Sequence, residues 1–355
     1  MPELRPLLKH IVEERHPLSR MQARVALEAI LRSEPDPASD MEIAAMLTTM
    51  ASRGETVDEL TGFAEAMREF SIPIPFTDAE RAALVDTCGT GGDGLGTLNI
   101  STGAALLAAA AGAKVAKHGN RGVTSKCGSA DVLEAMGIPV ALTAEQSVAC
   151  LRATGFTFLY APALHPAMKR VQPIRRALGF RTIFNLAGPL TNPAGAPAQV
   201  MGVYAPEKLE IVAGAMAQLG IRCGLVAHAR NGIDELALSA TDTVSVIASG
   251  DGAPTRTIRR VVHPGDAGLQ EAELSDLAGG ETPAGNAALL ESILTGATKG
   301  PKRDVVLLNA AAALEAAALV GDLREGVVRA AEAIESGAAA RVIRELRSFS
   351  FLVSR

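Results

Sequence analysis

The sequence predicts an α/β protein, with a mainly parallel central sheet flanked by helices and a separate small helical domain. Three observations carry that expectation. Residues 1–70 place apolar side chains only at helical spacing. Ser71-Ile72-Pro73-Ile74-Pro75 then breaks the pattern, because proline removes a donor and fixes φ. Beyond it, short apolar runs alternate with helical ones, the signature of βα units. A chain of 355 residues is long enough for one large domain or two smaller ones.

In the helical region the periodic sets are Leu7, Leu8, Ile11 and Val12, then Ala23, Leu27, Ile30 and Leu31, then Ile43, Met46, Leu47 and Met50. Ser39-Asp40 reads as an N-cap, and Thr56-Val57-Asp58-Glu59 as a capping box. Strands are expected at 84–88, 114–117, 139–141, 156–160, 200–203, 223–228 and 244–247, with helices opening near Thr102 and Ser129. The Ala-rich stretch 305–353 reads as helix. One segment, 165–193, interrupts the alternation with Pro166, Pro173, Pro189 and Pro193. It is either a return into the helical region or a hinge between lobes. The expected division is 1–75 plus 165–193 as the small helical domain, with 76–164 plus 194–355 as the large α/β domain.

Composition narrows the function. A net charge of −5 with acids and bases interspersed disfavours a nucleic-acid partner. Aromatics are 3% and Trp is absent, so a site of stacked rings is not expected. The four cysteines, Cys88, Cys127, Cys150 and Cys223, form no CxxC pair, which points to a reducing compartment. The N-terminal stretch is charged throughout, unlike a signal peptide. The longest apolar run, 103–113, falls short of the ~20 residues a membrane helix needs. A soluble cytoplasmic protein without a membrane partner is expected.

Two glycine-rich turns, at 89–96 and 118–128, flank one helix. Glycine admits positive φ and close approach of backbone N–H groups to an anion. The first turn joins a strand to a helix, where free N–H groups and the helix dipole favour phosphate. It carries Thr90, Asp93, Thr97, Asn99, Ser101 and Thr102, in neither a Walker A nor a Rossmann spacing. A plain turn with Asn99 and Ser101-Thr102 capping the helix accounts for the glycines alone equally well. The second begins Lys117-His118-Gly119-Asn120-Arg121 and continues to Thr124, Ser125 and Ser129. Lysine and arginine there can neutralise pyrophosphate, while histidine and asparagine can orient a small ligand. Asp234-Glu235 is the best acidic pair for Mg²⁺, which takes one or two carboxylates besides water and phosphate. Arg170, Arg175, Arg176 and Arg181 are candidates for a substrate carboxylate. Residue chemistry does not choose between Arg175 and Arg176.

Taken together, GTGGDGxGTxNxST, KHGNR, GSADVLEAMG, HPAMK, LGxRTxFNxxGPLTNP and the DE pair resemble the anthranilate phosphoribosyltransferase family, and the resemblance runs along nearly the whole chain. It implies the two-domain fold of the nucleoside phosphorylases and phosphoribosyltransferases, a cleft between the lobes, and a homodimer. The implied reaction is Mg²⁺-dependent transfer of a phosphoribosyl group from 5-phosphoribosyl 1-diphosphate to the amine of anthranilate. The implied contacts to phosphoribosyl pyrophosphate are Gly89, Gly92, Asp93, Thr97, Asn99, Ile100, Ser101 and Thr102 on the first turn. On the second they are Lys117, His118, Gly119, Asn120, Arg121, Gly122, Val123, Thr124, Ser125 and Ser129. Ser101, Asp234 and Glu235 would hold the metal; Gly89, His118, Asn120, Arg175 and Pro189 would hold anthranilate. Lys117, His118 and Arg175 would carry catalysis, Arg175 being chosen because it opens the R-x-x-L-G stretch. Three positions depart from the family pattern: Ala187 for a frequent Leu, Thr124 for a Ser, and Gly122 for a larger residue. Ala187 is expected to widen the acceptor pocket. Two other readings have distinct signatures. A pyrimidine-nucleoside phosphorylase would need neither the DE pair nor LGxRTxFN, and a nucleic-acid-binding relative would show a basic cleft with eroded motifs.

Overall fold

Four helices open the chain: α1 (Leu4–Val12), α2 (Arg20–Arg32), α3 (Pro37–Arg53) and α4 (Val57–Glu69). The computed structural model describes residues 4–122, 127–248 and 255–353. Thr56 and Glu59 form the expected capping box on α4, with the Glu59 N–H donating to Thr56 Oγ1 at 3.2 Å and the Thr56 N–H to Glu59 Oε2 at 3.0 Å. The start of α3 differs from expectation. Asp36 caps it, accepting from the Ser39 N–H at 2.8 Å, so Ser39 and Asp40 lie inside the helix. Pro37 decides this: its fixed φ suits the first helical position and its missing N–H costs nothing there.

After α5 (Asp78–Ala82) come β1 (Leu84–Asp86), α6 (Ile100–Ala110), β2 (Lys114–Gly119), α7 (Ser129–Ala135), α8 (Ala144–Thr154) and β3 (Phe156–Tyr160). Short helices α9 (Ala161–Leu164), α10 (Gln172–Leu178) and α11 (Ile183–Ala187) follow, then β4 (Ala198–Gly202), α12 (Leu209–Gln218), β5 (Cys223–Ala229), β6 (Thr241–Ile247) and β7 (Arg256–Val262). Four helices close the chain: α13 (Pro283–Leu294), α14 (Pro301–Ala316), α15 (Leu323–Glu335) and α16 (Ala338–Val353).

The seven strands form one sheet in the order β3-β2-β1-β4-β5-β6-β7. The first five run parallel, and β6 and β7 are antiparallel additions. The strand expected at 139–141 is absent: Val140 and Leu142 are buried, but they bridge α7 and α8 without pairing. Pro139 lacks the N–H a ladder needs. Strand β7 was not expected. It reads Arg-Thr-Ile-Arg-Arg-Val-Val and lies exposed at the sheet edge, so its polar positions hid it.

The segment 165–193 packs beside the N-terminal helices in a core that also takes in α12 and residues of β4, β5 and β6. Val171, Ile174, Ile183, Phe184, Leu186 and Leu190 share a core with Ile43, Met46, Met50 and Phe63. Phe184 meets Phe63 edge-on at 5.7 Å between ring centroids, and the half-buried Arg68 donates to the Leu190 carbonyl at 2.9 Å. Ala187 is fully buried in this core and does not line the cleft described below, so the expected widening of the acceptor pocket does not follow. On the other side of the sheet, α6 packs against α14. A Cβ on Gly103 would lie 3.0 Å from Leu290 and 3.3 Å from Val306, a closeness that suits the Ala-rich composition.

Candidate active site

A cleft of about 960 Å³ opens at the carboxyl ends of β1, β2 and β4, with residues from 161–191 along it. Strand β1 pairs with β2 on one side and β4 on the other, so the chain leaves it in opposite directions. Such a switch point leaves a crevice that helices do not fill.

The first turn is built from left-handed glycines: Gly91, Gly92, Gly94 and Gly96 have φ of 61, 82, 74 and 69°. Residues with a Cβ are strained there. At its root the Thr90 N–H donates to the Gly202 carbonyl at 2.9 Å. Gly202 itself is jammed against the acidic loop: a Cβ on it would fall 1.3 Å from the Asp234 carbonyl oxygen. Arg181 reaches in from 165–193, donating to the Gly92 carbonyl and stacking over Tyr204 at 4.3 Å. The turn is flanked by 277–280, where Leu98 donates to Leu277 at 3.0 Å and Gly279 to Gly96 at 2.9 Å.

Asn99 stands at the N-cap of α6, but its side chain does not cap. It donates to the Cys127 carbonyl at 3.0 Å, tying one turn to the other, and its Oδ1 is buried without a partner among the described residues. The helix end is instead served from far along the chain, as the Ser101 N–H donates to Glu235 Oε1 at 3.0 Å. Thr97, Asn99, Ser101 and Thr102 all line the cleft, whereas Ile100 points into the core.

The second turn is braced more heavily. Asp131 accepts from the N–H groups of Gly122 and Gly128, both at 2.9 Å, and from Arg121 at 3.1 Å. Arg121 also pairs with Glu134 at 2.6 Å and lies over Tyr160 at 5.7 Å. Ser129 donates to the Asn120 carbonyl at 3.2 Å. Gly119 has no room for a side chain, since a Cβ would lie 2.5 Å from Ser129 Oγ and 2.7 Å from Phe158. Val123, Thr124 and Ser125 lie outside the described residues.

Lys117 is 2% exposed and donates to the Thr87 carbonyl at 2.9 Å and its hydroxyl at 3.1 Å. Beside it, Asp86 Oδ1 accepts from the His118 N–H at 3.1 Å while Oδ2 makes no well-formed hydrogen bond among the described residues. Burial pushes the Asp86 carboxyl up to about 6, opposed by the nearby Lys117 charge. His118 and His165 stack obliquely, ring centroids 5.1 Å apart, and no ring nitrogen of either makes a well-formed hydrogen bond among the described residues. Burial holds both below the usual histidine range, His165 at about 4, so both are neutral at pH 7. The backbones of Gly188 and Met67 lie close enough to oppose this slightly.

Asp234 is buried and Glu235 half-buried beside it. Desolvation is the main cause raising each carboxyl, with Asp93 adding repulsion on Asp234, and Asp234 on Glu235. A buried and a half-buried carboxylate with a third alongside, and Lys117 in partial compensation, are a hard-oxygen donor set, and Mg²⁺ fits it. Asn309 on α14 holds this loop in place, accepting from the Leu236 N–H at 3.2 Å and donating to its carbonyl at 2.8 Å.

Arg175 lies over Phe184 at 5.3 Å, and its guanidinium makes no hydrogen bond or ion pair among the described residues. Burial pulls that group below the usual arginine range. A half-buried, unpaired guanidinium facing a cleft leaves charge for an anion to neutralise. Arg176 is exposed and outside the lining. Pro189 lines the cleft, and its carbonyl accepts from Gln199 at 2.7 Å.

Residue-level reading missed Gly202, Asp86, His165, Asn309 and the 278–281 flank with Asn286. Of these only the Gly279-Gly280 doublet carried a local signal, since close backbone approach favours glycine.

Comparison with known proteins follows the same lines. Residues 81–340 match the glycosyl transferase family, a/b domain, and residues 5–71 its helical bundle domain. The anthranilate phosphoribosyltransferase of Solibacter usitatus is 48% identical over 347 residues, 98% of each chain. The crystal structure of the Thermus thermophilus enzyme of that name superposes with a TM-score of 0.86 at 40% identity, covering 97% of this chain and 98% of that one. The Saccharomyces cerevisiae enzyme, solved in complex with PRPP and Mg, gives 0.85 at 26% identity, covering 98% of this chain and 97% of that one.

Proposed function

The chain belongs to the anthranilate phosphoribosyltransferase family, and from that premise we propose that its two glycine-rich turns hold phosphoribosyl pyrophosphate while His118, Asn120, Arg175, Pro189 and Gly89 hold anthranilate. The reaction transfers the phosphoribosyl group from 5-phosphoribosyl 1-diphosphate to the amine of anthranilate, a pentosyl transfer that gives N-(5-phosphoribosyl)anthranilate and pyrophosphate in tryptophan biosynthesis. The observation that carries the residue assignment is charge left open in one cleft: the unpaired Arg175 guanidinium and the crowded Asp234–Glu235 carboxylates both line it.

In the transfer, the bond from C1 of ribose to the pyrophosphate oxygen breaks and a bond from C1 to the anthranilate nitrogen forms. An aniline nitrogen is already neutral at pH 7, so no strong base is required. The work is alignment and stabilisation of the leaving group. Arg175 would fix the acceptor carboxylate and so aim the amine at C1. The neutral rings of His118 and His165 line the same cleft, and the unprotonated nitrogen of either would accept the proton the amine sheds. Glycine N–H groups of 89–96 and the ammonium of Lys117 would meet the diphosphate. Asp234 and Glu235, with Ser101 beside them, would hold Mg²⁺, which supplies charge neutralisation on the departing pyrophosphate.

The same reading includes a homodimer, as the family resemblance implies, and residence in the cytoplasm. Four free cysteines and no helix long and apolar enough to cross a membrane among the described residues are consistent with the latter. It also assigns 1–75 with 165–193 to the small domain, supported by the core those segments share.

An assay following anthranilate fluorescence with phosphoribosyl pyrophosphate and Mg²⁺ tests the assignment. Asp234→Ala with Glu235→Ala removes most Mg²⁺-dependent turnover; unchanged kinetics would eliminate the metal assignment. Arg175→Ala raises the anthranilate KM and spares that for phosphoribosyl pyrophosphate. The reverse pattern puts Arg175 in the wrong pocket.

A further inference from the structure

Away from the cleft, the end of α1 gathers three groups that the transfer does not use. His10 Nδ1 lies 2.7 Å from Glu14 Oε2, and the His16 ring sits with its centroid 5.7 Å from that of His10. One donor atom from each of His10, Glu14 and His16 can be chosen so that all lie within 4.8 Å of one another.

The backbone does not reach this arrangement by default. His10 and Glu14 are one helical turn apart, but His16 would continue away from them on an extended chain. Arg15 turns it back with a φ of 58°, and only one other non-glycine residue, Ala318, has positive φ among the described residues. A residue with a Cβ is disfavoured in that conformation, which glycine adopts freely. The turn is closed by a long hydrogen bond of 3.4 Å from the His16 N–H to the His10 carbonyl. Buried Leu18 follows at once, its N–H donating to the buried carboxylate Glu59 at 3.0 Å, so the turn is pinned on its far side as well.

We propose that His10, Glu14 and His16 form a binding site for a transition-metal dication of the zinc class, separate from the Mg²⁺ position in the cleft. Two imidazoles and one carboxylate are ligands such ions prefer, and Mg²⁺ does not seek them. The three donor atoms lie within 4.8 Å of one another, a spacing that one shared ion would draw in, and the exposure of Glu14 and His16 would leave its fourth position to water. The bound ion clips the link between α1 and α2 to the end of α1. Its consequence is local stiffening of the small domain, with no part in the transfer.

The test is calorimetric titration of Zn²⁺ into the full-length protein held in excess Mg²⁺, which keeps the cleft carboxylates engaged. Zinc can also meet the thiols of Cys88 and Cys223, so the reading is the difference between wild type and His10→Ala/His16→Ala. Wild type takes up one more Zn²⁺ per chain than the double variant, and Zn²⁺ raises its Tm but not that of the variant. Because His10 is half-buried and its loss could disturb α1, the exposed His16→Ala alone is the second variant. It weakens that uptake by about tenfold or more, with far-UV circular dichroism and transferase turnover unchanged. Equal stoichiometry and affinity in wild type and both variants would overturn the proposal and leave the trio a surface ion pair.

Discussion

The two glycine-rich turns look alike in sequence and are held in opposite ways. The first, 89–96, has four left-handed glycines, and much of it is exposed. Its few ties come from other segments: the Gly202 carbonyl, Arg181 and the 277–280 flank. In the second, Asp131 clamps Gly122 and Gly128, and Lys117 and His118 are buried at its root. One turn borrows its shape from distant parts of the chain, and the other makes its shape locally. A ligand meeting both finds one side preorganised and supplies part of the order of the other.

The largest expected effect tests the borrowing. In Gly202→Ala the new Cβ would overlap the Asp234 carbonyl, so β4 and the acidic loop must part. Turnover should fall by about 10²-fold or more, and stability by more than about 4 kcal/mol. A variant with wild-type kinetics and melting would mean that the first turn and the acidic loop do not depend on this contact.

Next is the root of the second turn. The folded protein holds the Asp86 proton up to about pH 6, against an ordinary aspartate value of 3.8. The folded state therefore binds the proton more tightly, and this group's contribution to stability falls as pH rises through that window. The change is on the order of 3 kcal/mol. Asp86→Asn keeps an acceptor for the His118 N–H and removes the slope. Urea unfolding of both proteins at pH 4 and pH 7 checks it, and parallel pH profiles would refute it.

The smallest effect concerns the clamp. Asp131→Ala frees two N–H groups and costs about 1–3 kcal/mol. The KM for phosphoribosyl pyrophosphate should rise while that for anthranilate stays. Loss confined to anthranilate would show that the second turn serves the acceptor alone.

These cases show what the sequence made legible. Both turns were visible because glycine and polar residues cluster within a dozen positions at strand ends. The strand 156–160 and the Thr56 capping box were read at their true positions because their signals are local. Gly202 and Asn309 were not visible. One glycine among 34 carries no mark of the backbone it will face, and a helical asparagine none of the loop it will hold. Asp86 was hidden by its strand, and β7 by its arginines. The missed features depend on contacts between residues far apart in the chain, where periodicity is silent. Arg175 lies between these cases. Residue chemistry left it level with Arg176, the family pattern preferred it, and of the two only Arg175 lines the cleft.

Strand β7 has a consequence outside catalysis. Among the described residues β7 pairs only with β6, and an edge strand offers backbone groups on which another chain can extend the sheet. Here that border carries Arg256, Arg259 and Arg260 within seven residues. A second molecule presenting the same strand would set like charges against one another, and aligning the two ladders would force guanidinium groups out of water. Glu210 and Glu315, 3.8 and 3.7 Å from Arg259 and Arg260, offset part of that charge, so the border is self-repelling only in part, and association along this edge should be weakest at low salt and grow as ions screen it.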